Sequence, residues 1–222
     1  MMSMYEKFVN LLTNYCRQVG YPIQIEKSLR DSSEDDANAV KIFMSKYKDL
    51  NSISMDSIAH DVVRKIHFAG TTKEDESPAS VDSFLIDSNG FWYFIEFKNR
   101  KIGESKEKCI EKSYANVYWL LEILEELKNN DSFSFESFSS CPSGISPLNF
   151  VKEYCKFILV IADGKDDLEI YKIREARKAK KRWPDSDWAK YMKKLESYIY
   201  KSAEVYNVKQ FDREFVKNFR YF

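Results

Sequence analysis

Residues 81–98 constrain the fold more than any other part of the chain. Two runs rich in β-branched and aromatic residues, 81–87 and 91–98, flank Ser88-Asn89-Gly90, a pattern that predicts a β-hairpin. A three-residue loop with Gly90 in the left-handed conformation gives a type I turn plus a bulge. It pairs Asp87 with Phe91 and therefore Asp82 with Glu96. A two-residue Asn-Gly turn is the alternative; it shifts the register by one and aims Asp82 elsewhere. Side chains alternate across a strand, so Glu96 and Lys98 share one face and Phe97 points away. In the first register Asp82 and Glu96 oppose each other with Cβ atoms about 4.5–5.5 Å apart. Trp92 and Phe94 share the Glu96 face, which favours a recessed site over an open one.

The flanking sequence predicts helices. Ser3-x-x-Glu6 has capping-box form, Gly20 and Pro22 supply a stop, and Tyr5, Phe8, Val9, Leu12, Tyr15, Cys16 and Val19 fall at helical spacing between them. A second helix is expected over 33–48, with Ala37, Val40, Phe43, Met44 and Tyr47 inward and Asp31, Glu34, Asp35 and Asp36 complementing its N-terminal dipole. Met55, Ile58, Ala59, Val62, Val63 and Ile66 continue at helical spacing, with a strand over 62–68 as the alternative. Residues 70–80 read as a loop. After the hairpin a helix is expected over 104–128, with Ile110, Tyr114, Val117, Tyr118, Leu121 and Leu124 inward. Residues 129–149 read as an irregular loop, 156–161 as a buried strand, and the rest as mostly helical, near 187–206 and 211–219. A long helix between two strands makes a parallel pair by crossover. The expected fold class is α/β (or α+β): a central mixed sheet carrying the hairpin, with helices on both faces. Taken as one domain over 1–222, it divides into a core at 33–162 and a helical C-terminal extension at 163–222.

Asp82, Glu96 and Lys98 carry the chemistry. Two adjacent carboxylates raise each other's pKa unless a cation sits between them. A hard divalent ion, Mg²⁺ or Mn²⁺, resolves that conflict with oxygen ligands, and the Phe97 carbonyl is a further candidate ligand. Such an ion delivers a nucleophilic water and stabilises charge on a phosphoryl oxygen. Lys98 could orient the water or neutralise developing charge. Glu-x-Lys also occurs at Glu104 and Glu126, but within the expected helix, where i and i+2 share no face. The bland alternative is a cross-strand ion pair on a solvated sheet, worth little.

At Val81-Asp82, thirteen intervening residues and Glu96-Phe97-Lys98, the chain resembles the PD-(D/E)xK nuclease superfamily. The resemblance covers roughly residues 33–162. Val81 stands where a proline is usual, at a position that varies in the superfamily. The resemblance implies a restriction-endonuclease-like fold and metal-dependent phosphodiester hydrolysis, on DNA more than RNA. It makes Asp82 and Glu96 metal ligands and Lys98 the catalytic lysine. Members often add an acid from the preceding helix, for which Glu34 is the candidate, with Asp35 and Glu26 behind it. A polar residue on the following helix often faces the site, for which Lys108 and Lys112 are candidates, Lys112 as a nucleic-acid contact. Many such nucleases act as dimers. A catalytically silent module that binds nucleic acid or protein is the alternative function.

The run 172–182 holds seven basic residues and Glu175, followed by Trp183, Trp188 and Tyr191. Arg174, Arg177, Lys178, Lys181 and Arg182 are candidate phosphate contacts, with aromatics for stacking; a solvated helix face is the alternative. With 35 basic against 35 acidic residues, uniform polyanion coating is excluded, though a local patch can still steer one. The two histidines, His60 and His67, do not support a Ser-His-Asp or Cys-His enzyme, and His60 reads as structural. No phosphate-cradling glycine motif is present. Four scattered cysteines read as reduced thiols. No apolar run spans a membrane and the start does not read as a signal peptide, so a cytoplasmic location is expected.

Overall fold

The computed structural model describes residues 2–35, 42–68, 77–99 and 106–219. Its centre is a six-stranded mixed sheet of β1 (Glu26–Ser28), β4 (Asn51–Ser54), β5 (Ser83–Ile86), β6 (Trp92–Lys98), β7 (Cys155–Ile161) and β8 (Ser202–Asn207), in that spatial order. The first three pairings are antiparallel, and β6, β7 and β8 run parallel. The hairpin forms in the three-residue register: Ser83 faces Ile95, Asp87 N–H donates to the Phe91 carbonyl at 3.0 Å, and Gly90 has φ +77°. A Cβ at Gly90 would lie 2.6 Å from the Ser139 backbone, so both conformation and space require glycine there.

Both faces of the sheet are buried. Phe84, Trp92, Phe94, Phe157 and Leu159 pack against α1 (Met4–Gln18), α5 (Lys106–Asn129) and α8 (Asp187–Tyr198). Leu85, Tyr93, Ile95, Phe97 and Val160 pack against Leu29, Met44, Phe211, Phe215 and Val216. Each such large apolar side chain contributes about 1.5–3 kcal/mol. Helix α1 starts at the expected capping box, Ser3 with Glu6, and buries Phe8, Val9, Leu12, Tyr15 and Cys16. Residues 55–67 are helical throughout, as α3 (Met55–Ile58), a wide π turn (Ala59–Val63) and α4 (Arg64–His67); the strand alternative does not form. Helix α6 (Pro147–Tyr154) starts on the Ser146 cap and leads into β7.

Three expectations are corrected. No helix spans 33–48: Ser28 caps the short α2 (Leu29–Ser32), and β2 (Glu34–Asp35) pairs antiparallel with β3 (Ile42–Phe43). Ala37 and Val40 of that expected helix lie outside the described residues. On α5 the buried positions are Cys109, Ser113, Asn116, Trp119, Leu120, Ile123, Leu124 and Leu127; of the expected inward residues Leu124 is buried, Ile110, Val117 and Leu121 are half-buried, and Tyr114 and Tyr118 are exposed. Polar groups on that face find buried partners: Ser113 Oγ meets the Tyr191 hydroxyl at 2.6 Å, and its carbonyl accepts from Tyr200 Oη at 2.6 Å. The C-terminal part is not a purely helical extension. After α7 (Asp167–Lys178) and α8, residues 202–207 form β8 instead of continuing a helix, and α9 (Val208–Gln210) opens the final helical stretch.

Strand β8 closes one end of the sheet, and side chains cover its outer edge. Ala203 N–H donates to Glu196 Oε2 at 3.3 Å, and Arg174 Nη1 donates to the Val205 carbonyl at 3.2 Å. Among the described residues no helix is long and apolar enough to cross a membrane.

Candidate functional site

Asp82 and Glu96 meet where the hairpin ladder splits. Continued one step past Ser83–Ile95, the register sets Asp82 opposite Glu96. One step further, Val81 should face Phe97, and there the strands part. Val81 N–H turns to Asn116 Oδ1 on α5 at 2.9 Å, and Phe97 N–H donates to Asp82 Oδ2 at 2.6 Å. The Asp82 carboxylate thus replaces a missing backbone acceptor and is wedged between the strands. Glu96 follows Trp92 and Phe94 along one face of β6 and is fully buried.

Two ammonium groups converge on the pair. Lys112 Nζ lies 3.2 Å from Asp82 Oδ1 and 3.1 Å from Glu96 Oε1, and Lys98 Nζ pairs with Glu96 Oε1. Burial pushes Glu96 up to about 7, with the Asp82 charge adding to it and Lys112 and Lys98 opposing it. Burial works to lower both lysines, but the carboxylates outweigh it: Glu96 then Asp82 for Lys98, Asp82 then Glu96 for Lys112. Both net shifts are upward. Each lysine is therefore a cation at neutral pH, and neither is a general base there.

Helix α5 positions the wedge through one stripe of side chains a turn apart. Lys112 binds Asp82, Asn116 binds Val81, and Trp119 Nε1 donates to the Ala79 carbonyl at 3.2 Å. Three contacts along one helix face fix the approach to Asp82 residue by residue.

A cleft of about 250 Å³ opens beside the wedge, lined by Glu34, Asp35, Asp82, Phe97, Lys98 and Lys108 among others. Glu34 reaches it from β2, not from a preceding helix. Glu26 sits on the edge strand β1 and accepts from Tyr5 Oη at 3.0 Å, so it takes no part in the wedge. A further acid that the sequence reading missed, Asp56 on α3, interacts with Asp82 and Lys112. The Ser80 hydroxyl donates to Asp56 Oδ1. Partial desolvation and the Asp82 charge push the Asp56 carboxyl up, against Lys112 and Ser80, although the residue is exposed. Its signal was present: it stands in the first turn of the helix just before the hairpin.

The basic run lies elsewhere, on and after α7. Arg174 pairs with Glu214 and lies 4.1 Å over the Tyr206 ring. Arg177 pairs with Glu196 at 3.0 Å and Glu204 at 3.1 Å. These two hold α7 to the β8 edge. Lys178 is exposed beside Glu175, and Lys181 and Arg182 are exposed. His60 Nδ1 contacts Asp61 Oδ1 at 3.1 Å on the half-exposed helix face. All four cysteines are free thiols.

Several observations bear on whether these residues suit a hard divalent ion. The donors are carboxylate oxygens, which such ions select. A cation, Lys112 Nζ, already bridges the two carboxylates. Glu96 Oε1 is buried and accepts no well-aligned hydrogen bond among the described residues. Those residues contain no group of three His, Cys, Asp or Glu side chains close enough to hold an ion alone. Water and backbone oxygens would complete the shell, as Mg²⁺ commonly requires. The set fits, provided Lys112 yields its place.

No family model matches this chain, and no curated protein or solved structure matches it.

Proposed function

We propose that this protein is a metal-dependent nuclease of restriction-endonuclease-like fold that hydrolyses phosphodiester bonds, in DNA more than in RNA. One observation carries the reading: a buried glutamate and a wedged aspartate face each other where the strand ladder opens, with two lysines on them. Burying a carboxylate is costly unless it is paired or holds a metal. A surface ion pair, the bland alternative, needs no such burial.

Asp82, Glu96 and the Phe97 carbonyl would hold Mg²⁺ or Mn²⁺, and Glu34, which lines the same cleft, would meet its waters. The ion, when bound, supplies Lewis-acid charge to a phosphoryl oxygen and acidifies its water. Lys98, held on Glu96 and protonated, orients the attacking water and offsets charge gathering on the phosphoryl oxygens. Lys112 keeps the two carboxylates apart from each other's charge until substrate and ion arrive. Glu96 must be ionised to bind a cation, so affinity rises as pH passes through about 7.

A second reading has its own support. Lys112 neutralises both carboxylates internally, so the fold can stand with no ion and serve as a nucleic-acid or protein interaction module. Calorimetric titration with Mn²⁺, followed by cleavage assays on DNA and RNA, separates the two. Wild type should bind Mn²⁺ and cut, and Glu96→Gln should do neither. Wild type that neither binds Mn²⁺ with short duplex DNA present nor cuts DNA or RNA rejects the nuclease.

A further inference from the structure

A second cleft adjoins the carboxylate cleft. It has a volume of about 700 Å³ and is lined by Arg30, Lys46, Tyr47, Lys209 and Arg213 beside Phe43 and Asp212. Met44 lines both clefts. Between them Ser33 accepts two backbone N–H groups, Met44 N–H on its carbonyl at 3.2 Å and Ser45 N–H on its Oγ at 2.9 Å.

We propose that a nucleic-acid strand entering the carboxylate cleft crosses Met44 and lies along this second cleft, where Arg30, Lys46, Lys209 and Arg213 contact its phosphodiester oxygens. The proposal rests on the nucleic-acid reading of the carboxylate site and adds the path that the strand takes. Four cations line the cleft against one carboxylate, Asp212, which is buried and accepts from Ser45 Oγ at 3.3 Å. The two cations with acidic partners outside the cleft, Lys209 and Arg213, remain largely exposed to solvent. Lys209 is 83% exposed and only loosely paired, 3.7 Å from Asp163. Arg213 shares Glu214 with Arg174. The Arg30 guanidinium lies 3.7 Å over the Phe43 ring, a flat cation–aromatic surface at the cleft wall. This differs from α7, whose Arg174 and Arg177 are spent on glutamates and on the β8 edge. The track therefore runs over the β3 side of the molecule and not along the basic run 172–182.

The test is fluorescence anisotropy of a labelled oligonucleotide, single-stranded and duplex, in EDTA so that nothing is cut. Lys46→Glu/Arg213→Glu should bind at least about tenfold more weakly, with a salt slope shallower by about 0.7–0.9 per lost contact. Lys181→Glu/Arg182→Glu should bind like wild type. Both pairs are exposed, and thermal melts check that each variant folds; Lys46→Ala serves if the first pair does not. The proposal is overturned if the cleft variant binds normally, if only the α7 variant loses affinity, or if wild type binds neither oligonucleotide. Cleft-dependent binding with no cleavage in Mn²⁺ keeps the track and rejects the hydrolytic reading. Cleavage that ignores the cleft variant does the reverse.

Discussion

The hairpin carries an aspartate at each end of its first strand, and the two do different work. Asp87, at the turn, accepts from Asn89 N–H and Phe91 N–H at 2.9 Å each and from Tyr93 Oη at 2.8 Å. All three donors are neutral and local to the hairpin. Asp82, at the open end, accepts one backbone N–H and then meets a lysine from a distant helix, beside a second carboxylate. Asp87 is satisfied by the chain that makes the turn. Asp82 has one oxygen on the Phe97 N–H and the other on an ammonium that an ion could replace. The same residue type closes a loop at one end and holds an exchangeable charge at the other.

The sharpest way to break this contrast is Lys112→Met. Removing the bridging cation leaves buried Glu96 and Asp82 facing each other, at a cost of about 3–5 kcal/mol. In the nuclease reading, Mn²⁺ should recover a large part of that loss, and thermal melts with and without the ion measure the recovery. Next come Asp82→Asn and Glu96→Gln, which should lower cleavage by at least about 10²-fold, the scale of losing one electrostatic stabiliser. The amide oxygen at position 82 can still accept from Phe97 N–H, so denaturant unfolding should show a folded protein. Asp87→Ala should show the opposite pattern. Its lost turn contacts cost about 1–3 kcal/mol, with cleavage per folded molecule unchanged.

The last test is the pH dependence of stability. Glu96 keeps its proton up to about 7 in the folded protein, against an ordinary 4.5. Between those values the folded state binds more protons than the unfolded one. Stability therefore falls as pH rises through that window and this contribution is level above it. Glu96→Gln should flatten the fall; Asp56, shifted in the same direction, leaves a remainder. Urea unfolding at about pH 5 and about pH 8 reads the difference.

The sequence made the hairpin legible because its determinants are local. Asn89-Gly90 allowed two turns and two registers, and the three-residue turn that forms is the one that opposes Asp82 to Glu96. The α5 face was misread for the opposite reason. Hydropathy favours Tyr114 and Tyr118 as inward, yet Ser113 and Asn116 are buried: Tyr191 and Tyr200 pair with Ser113, and Val81 N–H donates to Asn116 Oδ1, all from far along the chain. Strand β8 was hidden likewise. Its sequence, Ser-Ala-Glu-Val-Tyr-Asn, has no long apolar run, and pairing with β7 decides it. At the site, Asp82, Glu96 and Lys98 followed from strand alternation. Asp56 stood legible in the first turn of the helix before the hairpin, whereas the bridging role of Lys112 depends on how α5 packs on the hairpin, which no spacing rule encodes.

The covered edge of β8 has a consequence for the protein in company. A bare edge strand offers unpaired amides and carbonyls to any extended chain nearby. Here Glu196 occupies an amide and Arg174 a carbonyl, each with a charged group that another strand would have to displace. A crowded or freshly synthesised copy would have to break both contacts before it could add a strand to that end of the sheet.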